Sequence, residues 1–164
     1  MAATGSDGAR PRFLADAMVG RLARYLRFAG YDTEYGRGVD DTDLALWAAR
    51  DGRILLTRDR RLAASTPTAV LIASPRVGEQ IRALRAAIPN LDLEVEFARC
   101  GRCNGELATF ASTPDEPWPT YVPDGVRQAG GPVFRCARCG QFFWEGSHTR
   151  RIRTAFAEWT RPGP

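Results

Sequence analysis

The chain has 164 residues, of which 44% are hydrophobic and 26% are charged, a composition typical of a globular protein rather than a disordered one. Its best apolar run, residues 69–73, is too short to cross a membrane, which excludes an integral membrane protein of the helical class. All 23 residues of the Lys and Arg class are arginines, and the formal net charge is +4, an excess that favours nucleic acid as a partner only weakly.

The first half of the chain alternates between predicted strands and helices. A buried strand at residues 12–15 leads into a helix at 17–29, with Arg24 and Arg27 on the face opposite its core face. That core face carries Met18, Leu22, Tyr25, Leu26 and Ala29. Further strands are predicted at 32–35, 53–57 and 69–73, and further helices at 41–50, 60–64 and 75–87. This alternation predicts an α/β fold with a mainly parallel sheet flanked by helices.

The character of the sequence changes after residue 97. Residues 113–132 are rich in proline and glycine and are predicted to form a loop, and a final helix is predicted at 147–159 with Ser147 as its N-cap. We therefore expect a flexible lead-in (1–11), an α/β domain (12–97), and a small second unit with a C-terminal helix (98–164). The lead-in lacks the apolar core of a signal peptide, so we expect a cytoplasmic protein.

Four cysteines form two Cys-x-x-Cys pairs, Cys100 with Cys103 and Cys136 with Cys139. Each pair is followed by a turn-forming residue, Asn104 or Gly140, and this pattern predicts a ribbon that holds a structural Zn²⁺ ion in tetrahedral geometry. An iron–sulfur cluster could use the same ligands. A redox pair is disfavoured because it needs only one such motif, and a catalytic zinc is disfavoured because four sulfurs leave no place for water.

Several aspartates are predicted to lie at the side of the sheet where the parallel strands have their carboxyl ends. Asp16 and Asp59 each follow a predicted strand, and Asp41 and Asp43 open the helix between those strands. If the strands are neighbours, these carboxylates converge, and such an oxygen cluster suits Mg²⁺ or Mn²⁺ and phosphodiester hydrolysis. Alternatively, Asp16, Asp41 and Asp59 are helix N-caps, and the adjacent Asp40 is simply solvated.

The candidate substrate-binding residues are Arg21, Arg24, Arg58 and His148. The arginines either contact phosphate beside the metal or form solvated surface and ion pairs with the acids. His148 falls near the apolar stripe of the last helix, so packing is its alternative role, and general acid catalysis is a further one. Phe142, Phe143 and Trp144 are interpreted as ribbon core rather than as platforms for stacking bases.

Several motifs together resemble the Mut7-C RNase family, a branch of the PIN-like nucleases. They are Phe13-Leu-Ala-Asp16, the stretch from Gly20 to Arg27, Gly30-Tyr-Asp, the stretch from Arg53 to Asp59, and Gly146-Ser-His148 behind the two cysteine pairs. The resemblance implies a PIN-like fold, a zinc ribbon, and RNA cleavage that depends on Mg²⁺ or Mn²⁺. It places metal ligation on Asp16, Asp41 and Asp59, with Asp43 as the fourth acid. The chain departs from the family at Tyr25, where tryptophan is frequent, and at Asp43, where glutamate is common and one methylene longer.

Two functional hypotheses follow. The first is a metal-dependent endoribonuclease in which the aspartates hold the metal while the ribbon and arginines hold single-stranded or structured RNA. The second is a non-catalytic module that binds RNA or the ribosome through the ribbon. The sequence leaves open an inhibitory or ribosomal protein partner and the oligomeric state. It also predicts that zinc removal unfolds the ribbon while the first domain survives.

Overall fold

A computed structural model of the protein describes residues 10–161, so residues 1–9 of the expected lead-in lie outside the described part. Its larger sheet has four parallel strands in the order β2-β1-β3-β4. The strands are β1 (Phe13–Ala15), β2 (Thr33–Tyr35), β3 (Ile54–Thr57) and β4 (Ala69–Leu71). Strand β1 lies between β2 and β3 and is completely buried. The predicted parallel sheet is confirmed.

Helices cover both faces of this sheet. They are α1 (Gly20–Phe28), α2 (Asp41–Asp51), α3 (Arg60–Ser65) and α4 (Val77–Ala87). Because side chains alternate along a strand, Phe13 and Ala15 pack with α1 and α4 on one face, while Leu14 packs with α2 and α3 on the other. Asp16 and Asp59 follow the carboxyl ends of β1 and β3.

The first predicted helix starts differently from expectation. Residues Ala17–Val19 form a tight 3-10 turn before α1 begins. Such a turn advances about 120° per residue, whereas an α-helix advances about 100°, so residues in and after the turn point in other directions than helical spacing predicts. Met18 is therefore 54% exposed and Val19 is buried in its place. Arg27 was also misplaced by helical spacing, since it is only 6% exposed.

The second unit is built on a three-stranded antiparallel sheet, β5 (Leu107–Phe110), β6 (Val133–Cys136) and β7 (Phe142–Trp144). We call residues 99–144 the cysteine ribbon. A small core of Val122, Val133 and Phe142 stabilises it. The expected loop at 113–132 also contains a short helix, α5 (Asp124–Gln128). Pro123 precedes this helix and Asp124 occupies its first turn, a favourable arrangement for the helix dipole.

The last helix, α6 (Ser147–Trp159), has the predicted bounds, but its N-cap is Gly146 rather than Ser147. Gly146 has no side chain to cap the helix, but the Thr149 hydroxyl oxygen accepts a 2.8 Å hydrogen bond from the Gly146 amide and so satisfies the backbone donor of the N-cap residue. Ile152 and Phe156 of α6 are buried in the core that α1 and α4 share. No helix within residues 10–161 is long and apolar enough to span a membrane.

Candidate functional site

The four cysteine sulfurs lie together at one end of the ribbon sheet. All four Sγ atoms are within 4.8 Å of one another. Cys100 Sγ lies 3.7 Å from Cys139 Sγ, and Cys103 Sγ lies 3.5 Å from Cys136 Sγ. Tetrahedral zinc with Zn–S distances near 2.3 Å requires sulfur separations of about 3.8 Å. The cluster therefore fits a single four-coordinate ion, with zinc the metal that this donor set favours.

The turns around the cluster explain why the sequence has these residues there. Asn104 (φ 65°) and Gly140 (φ 73°) both adopt left-handed backbone after a cysteine pair. At Gly105 a Cβ atom would lie 2.8 Å from Cys136 Sγ, so a side chain there would displace the sulfur. Burial raises the pKa of Cys100 to about 12. This thiol therefore ionises at neutral pH only with a cation beside it, which links cluster formation to metal binding.

Asp16 and Asp59 lie at the carboxyl ends of the neighbouring strands β1 and β3, as predicted. Asp16 is only 5% exposed. Its Oδ1 accepts a 2.7 Å hydrogen bond from the Met18 amide, and its Oδ2 accepts one from the Thr57 hydroxyl. The same Thr57 oxygen accepts a 2.9 Å hydrogen bond from the Asp59 amide. Thr57 thus bridges the two aspartates. Sequence analysis missed this residue, although a threonine that ends a strand two positions before an aspartate is a readable signal.

Asp41 and Asp59 face a common cleft of about 590 Å³ between α2 and α3. Asp59 Oδ1 accepts hydrogen bonds from the amides of Leu62 (2.9 Å) and Arg61 (2.7 Å) at the start of α3. These bonds lower the pKa of Asp59, so its carboxylate remains ionised well below neutral pH. Asp41 is the first residue of α2 and is exposed. Asp43 is exposed on the same helix but does not line this cleft.

The predicted convergence of carboxylates is therefore partial. Within residues 10–161, the cysteines form the one group of three or more potential ligand residues with ligand atoms within 4.8 Å of one another. Asp16 and Asp59 are N-caps, as the alternative interpretation held, but the cap of α2 is Asp40 rather than Asp41. The view of Asp40 as simply solvated was wrong, since its Oδ1 accepts a 2.9 Å bond from the Asp43 amide. Two carboxylates on one cleft are compatible with Mg²⁺, which keeps several waters and takes further oxygens from phosphate.

Residues 11–156 match a family model described as the Mut7-C RNAse domain. This chain belongs to the Mut7-C RNAse domain family. A human protein described as "Exonuclease mut-7 homolog" is 25% identical over an alignment that covers 97% of this chain and 28% of that protein. The chain therefore spans little more than a quarter of the length of this relative. No solved structure matches the chain. Family membership supports a nuclease-type function at the coarse level.

The candidate substrate-binding residues of this Mut7-C domain lie in different surroundings. Arg21 and Arg24 of α1 are exposed and line a hollow beside the 3-10 turn that Asp16 caps. Arg58 is half-buried, and its Nε makes no hydrogen bond within the described residues. His148 is exposed at the start of α6, with its ring edge-on to Phe28 at 5.5 Å. Burial and the charges of Arg24 and Arg151 lower the pKa of His148, which favours the neutral imidazole.

Proposed function

We propose that this Mut7-C domain is an endoribonuclease that hydrolyses RNA phosphodiester bonds at the carboxyl edge of its parallel sheet. The observation that carries the proposal is the cleft onto which Asp41 and Asp59 both face, in a chain of an RNAse domain family. Asp16 lies at the end of the adjoining strand, and Asp43 assists from the first turn of α2. Open α/β sheets bind ligands at this edge.

Asp41 and Asp59 would hold Mg²⁺ or Mn²⁺, with Asp16 as the third ligand. When bound, such an ion supplies an activated water and stabilises the leaving oxygen. The chain contributes an Asp59 whose pKa is lowered by backbone hydrogen bonds, and an Asp16 whose carboxylate is held by Thr57 and Met18. Arg21 and Arg24 place positive charge beside that turn for the RNA phosphates.

We also propose that Cys100, Cys103, Cys136 and Cys139 hold structural zinc and that the ribbon assists RNA binding. The close grouping of four sulfurs supports the zinc assignment. Four reduced cysteines that serve as metal ligands suit a cytoplasmic protein, because disulfides rarely persist there.

Cleavage of RNA by zinc-loaded protein tests the function. Linear end-labelled RNA and circular RNA are incubated without added divalent ion, with Mg²⁺ and with Mn²⁺. We expect cleavage only with Mg²⁺ or Mn²⁺. The circular RNA should be cut as well as the linear one, which distinguishes an endonuclease from an exonuclease, because an exonuclease cannot act on a circle. Loss of a residue that only orients a metal ligand lowers activity by up to roughly 100-fold. Asp59→Asn changes a proposed ligand itself, so it should reduce the cleavage rate by more than that.

A matched control separates chemistry from helix capping. Asparagine caps helices as well as aspartate does, so Asp59→Asn preserves the start of α3 and removes only the charge. Asp40→Asn makes the same change at the cap of α2, one residue from Asp41, and should cleave at the wild-type rate. Equal rates for wild type and Asp59→Asn would exclude the aspartate-centred mechanism.

The capping contacts favour a second candidate, a non-catalytic RNA-binding module with an inactive PIN-like domain. Both oxygens of Asp16 are occupied by hydrogen bonds, and one oxygen of Asp59 caps α3. Under this alternative, wild type binds RNA without cutting it under every metal condition. Asp59→Asn then binds RNA at least as tightly, because it removes a negative charge.

A further inference from the structure

A groove of about 840 Å³ separates α1 from the cysteine ribbon and the start of α6. Its walls combine arginines with rings, chiefly Arg24, Arg102, Tyr35, Phe143, Trp144 and His148. The groove is distinct from the cleft between Asp41 and Asp59, since the two share no lining residue. Trp144 packs against the ribbon core, as interpreted from the sequence, whereas Phe143 packs against the α/β core instead. Both residues are half-buried.

The charge of this groove is unbalanced toward positive. Within residues 10–161, Arg24 and Arg102 make no ion pair with a carboxylate, and both are exposed. The one acidic lining residue, Glu96, is paired with Arg10 at 2.7 Å. Arg24 lies over the ring of Phe28 at 5.5 Å, which holds its guanidinium at the groove wall. The free guanidinium groups suit the phosphates of a polyanion.

The rings make the groove suitable for unpaired bases. Aromatic side chains stack on bases of any sequence, but only when those bases are not already stacked within a duplex. Tyr35 and Trp144 are half-buried lining residues, with part of each side chain free for such a contact. Alternation of rings and arginines along one groove is the pattern by which proteins bind single strands.

The groove adjoins a second hollow at the 3-10 turn that Asp16 caps. This hollow of about 410 Å³ shares Gly20, Arg24 and Tyr35 with the groove and adds Arg21 and Met18. The Met18 amide donates to Asp16 Oδ1 at 2.7 Å, so one lining residue of this hollow contacts the first candidate catalytic aspartate.

We propose that this groove binds the single-stranded segment of RNA next to the scissile bond, with phosphates on Arg24 and Arg102 and a base on Trp144. The inference rests on the proposed function, because it takes RNA as the substrate. It adds the substrate class, unpaired RNA, and a strand-binding surface on the ribbon side of α1.

Direct binding tests this inference without cleavage. Zinc-loaded protein carrying Asp59→Asn, with no added Mg²⁺ or Mn²⁺, is titrated into fluorescently labelled single-stranded RNA and into a blunt RNA duplex. We expect tighter binding of the single strand. Arg24→Gln and Arg102→Gln should each weaken it and reduce the slope of log affinity against log salt by about 0.7, the value for one phosphate contact on a single strand. Arg82→Gln, an exposed arginine of α4 outside the groove, should change neither quantity.

Trp144 supplies the test of stacking. Trp144→Leu should weaken single-strand binding by about tenfold, and Trp144→Phe should restore most of it, because phenylalanine keeps a stacking face. Circular dichroism confirms that the variants are folded. Unchanged affinity in the Arg24, Arg102 and Trp144 variants, or equal affinity for the duplex, would overturn the groove assignment. Groove-dependent binding without any cleavage by wild type would instead overturn the nuclease proposal and leave the groove assignment standing.

Discussion

The hydroxyl of Thr57 lies between two residues that bear candidate catalytic carboxylates. It donates to Asp16 and accepts from the backbone amide of Asp59, and Thr57 itself is fully buried. Removing one partner of a buried hydrogen bond lowers stability by more than the net stability that the bond provides, because water cannot replace the lost partner. One oxygen atom therefore contributes to the positioning of both aspartates, beside the bonds that each carboxylate accepts from backbone amides. The same aspartates cap the turns that follow them, so local structure and chemistry use the same groups.

Replacement of Thr57 by valine tests this dependence. Valine has nearly the same shape but no hydroxyl, so it leaves Asp16 Oδ2 and the Asp59 amide without their partner. We expect urea unfolding to show a loss of about 1–3 kcal/mol. Thr57→Ser keeps the hydroxyl and removes one methyl group, which costs about 0.8 kcal/mol. A valine variant as stable as the serine variant would contradict the bridging role.

Strand β2 is an edge of the main sheet, and side chains from elsewhere bond both backbone groups of Thr33. The Thr33 amide donates to Asn104 Oδ1 at 2.9 Å, and the Thr33 carbonyl accepts from Arg27 Nε at 2.8 Å. Arg27 also donates to the carbonyls of Gly101 and Arg102 in the first cysteine turn. The exposed edge that invites pairing with other chains is thus covered by the ribbon. One cysteine turn is joined to the sheet through two buried side chains, Arg27 and Asn104.

Asp32, which precedes β2, provides a prediction about pH. Burial disfavours its charge, but hydrogen bonds from Arg53 and Asn104 outweigh burial and lower the pKa of Asp32. The contribution of the ionised Asp32 to the free energy of unfolding is therefore fully present above the pKa of the unfolded state, near 3.8. It is lost as pH falls through the lower pKa of the folded state. Asp32→Asn should lose about 1.5–3 kcal/mol at pH 7, the cost of hydrogen bonds to a charged group.

Urea unfolding at several pH values measures this contribution as the difference between wild type and Asp32→Asn. The difference should shrink as pH falls below 4, while effects common to both proteins, such as metal release, cancel. Asp92→Asn, at an exposed aspartate, should differ little from wild type at any pH. A constant difference across the acid range would show that the Asp32 charge is not the source of stability.

At the scale of the whole molecule, locally encoded features were predictable and long-range ones were not. The parallel sheet follows from short apolar runs, and the cysteine cluster follows from two Cys-x-x-Cys pairs. Burial of Arg27 depends on carbonyls at residues 101 and 102, far along the chain, so helical spacing alone placed it in solvent. Asp16 and Asp59 do follow strands β1 and β3, but spacing could not show that, of the four aspartates, only Asp41 and Asp59 line a common cleft.

The hydrophobic core also joins parts of the chain that the sequence separates. Ile152 and Phe156 of α6 lie in one core with residues of α1 and α4, and Tyr25 packs edge-on against Trp159 with ring centroids 5.0 Å apart. The Arg85 side chain donates to the Thr160 carbonyl at 3.0 Å. Helix α6 therefore stabilises the α/β core, although the expected boundary after residue 97 groups it with the ribbon. The first cysteine turn also contacts the sheet through Arg27 and Asn104, so we expect zinc loss to affect part of the first domain as well.

Zinc removal should instead loosen the sheet through the contacts of Arg27 and Asn104. After treatment with a zinc-selective chelator, hydrogen exchange measured by mass spectrometry should accelerate in the ribbon and also in β2 and the end of α1. A loss of local opening free energy of about 1.4 kcal/mol corresponds to a tenfold faster rate. Strand β4, at the opposite edge of the sheet, should retain its protection and serves as the internal control.

Cys139→Ser, which removes one exposed candidate ligand, should reproduce the pattern without chelator. Acceleration confined to residues 99–144 would show that the first domain is independent of the metal, because the Arg27 and Asn104 contacts would then transmit nothing to β2.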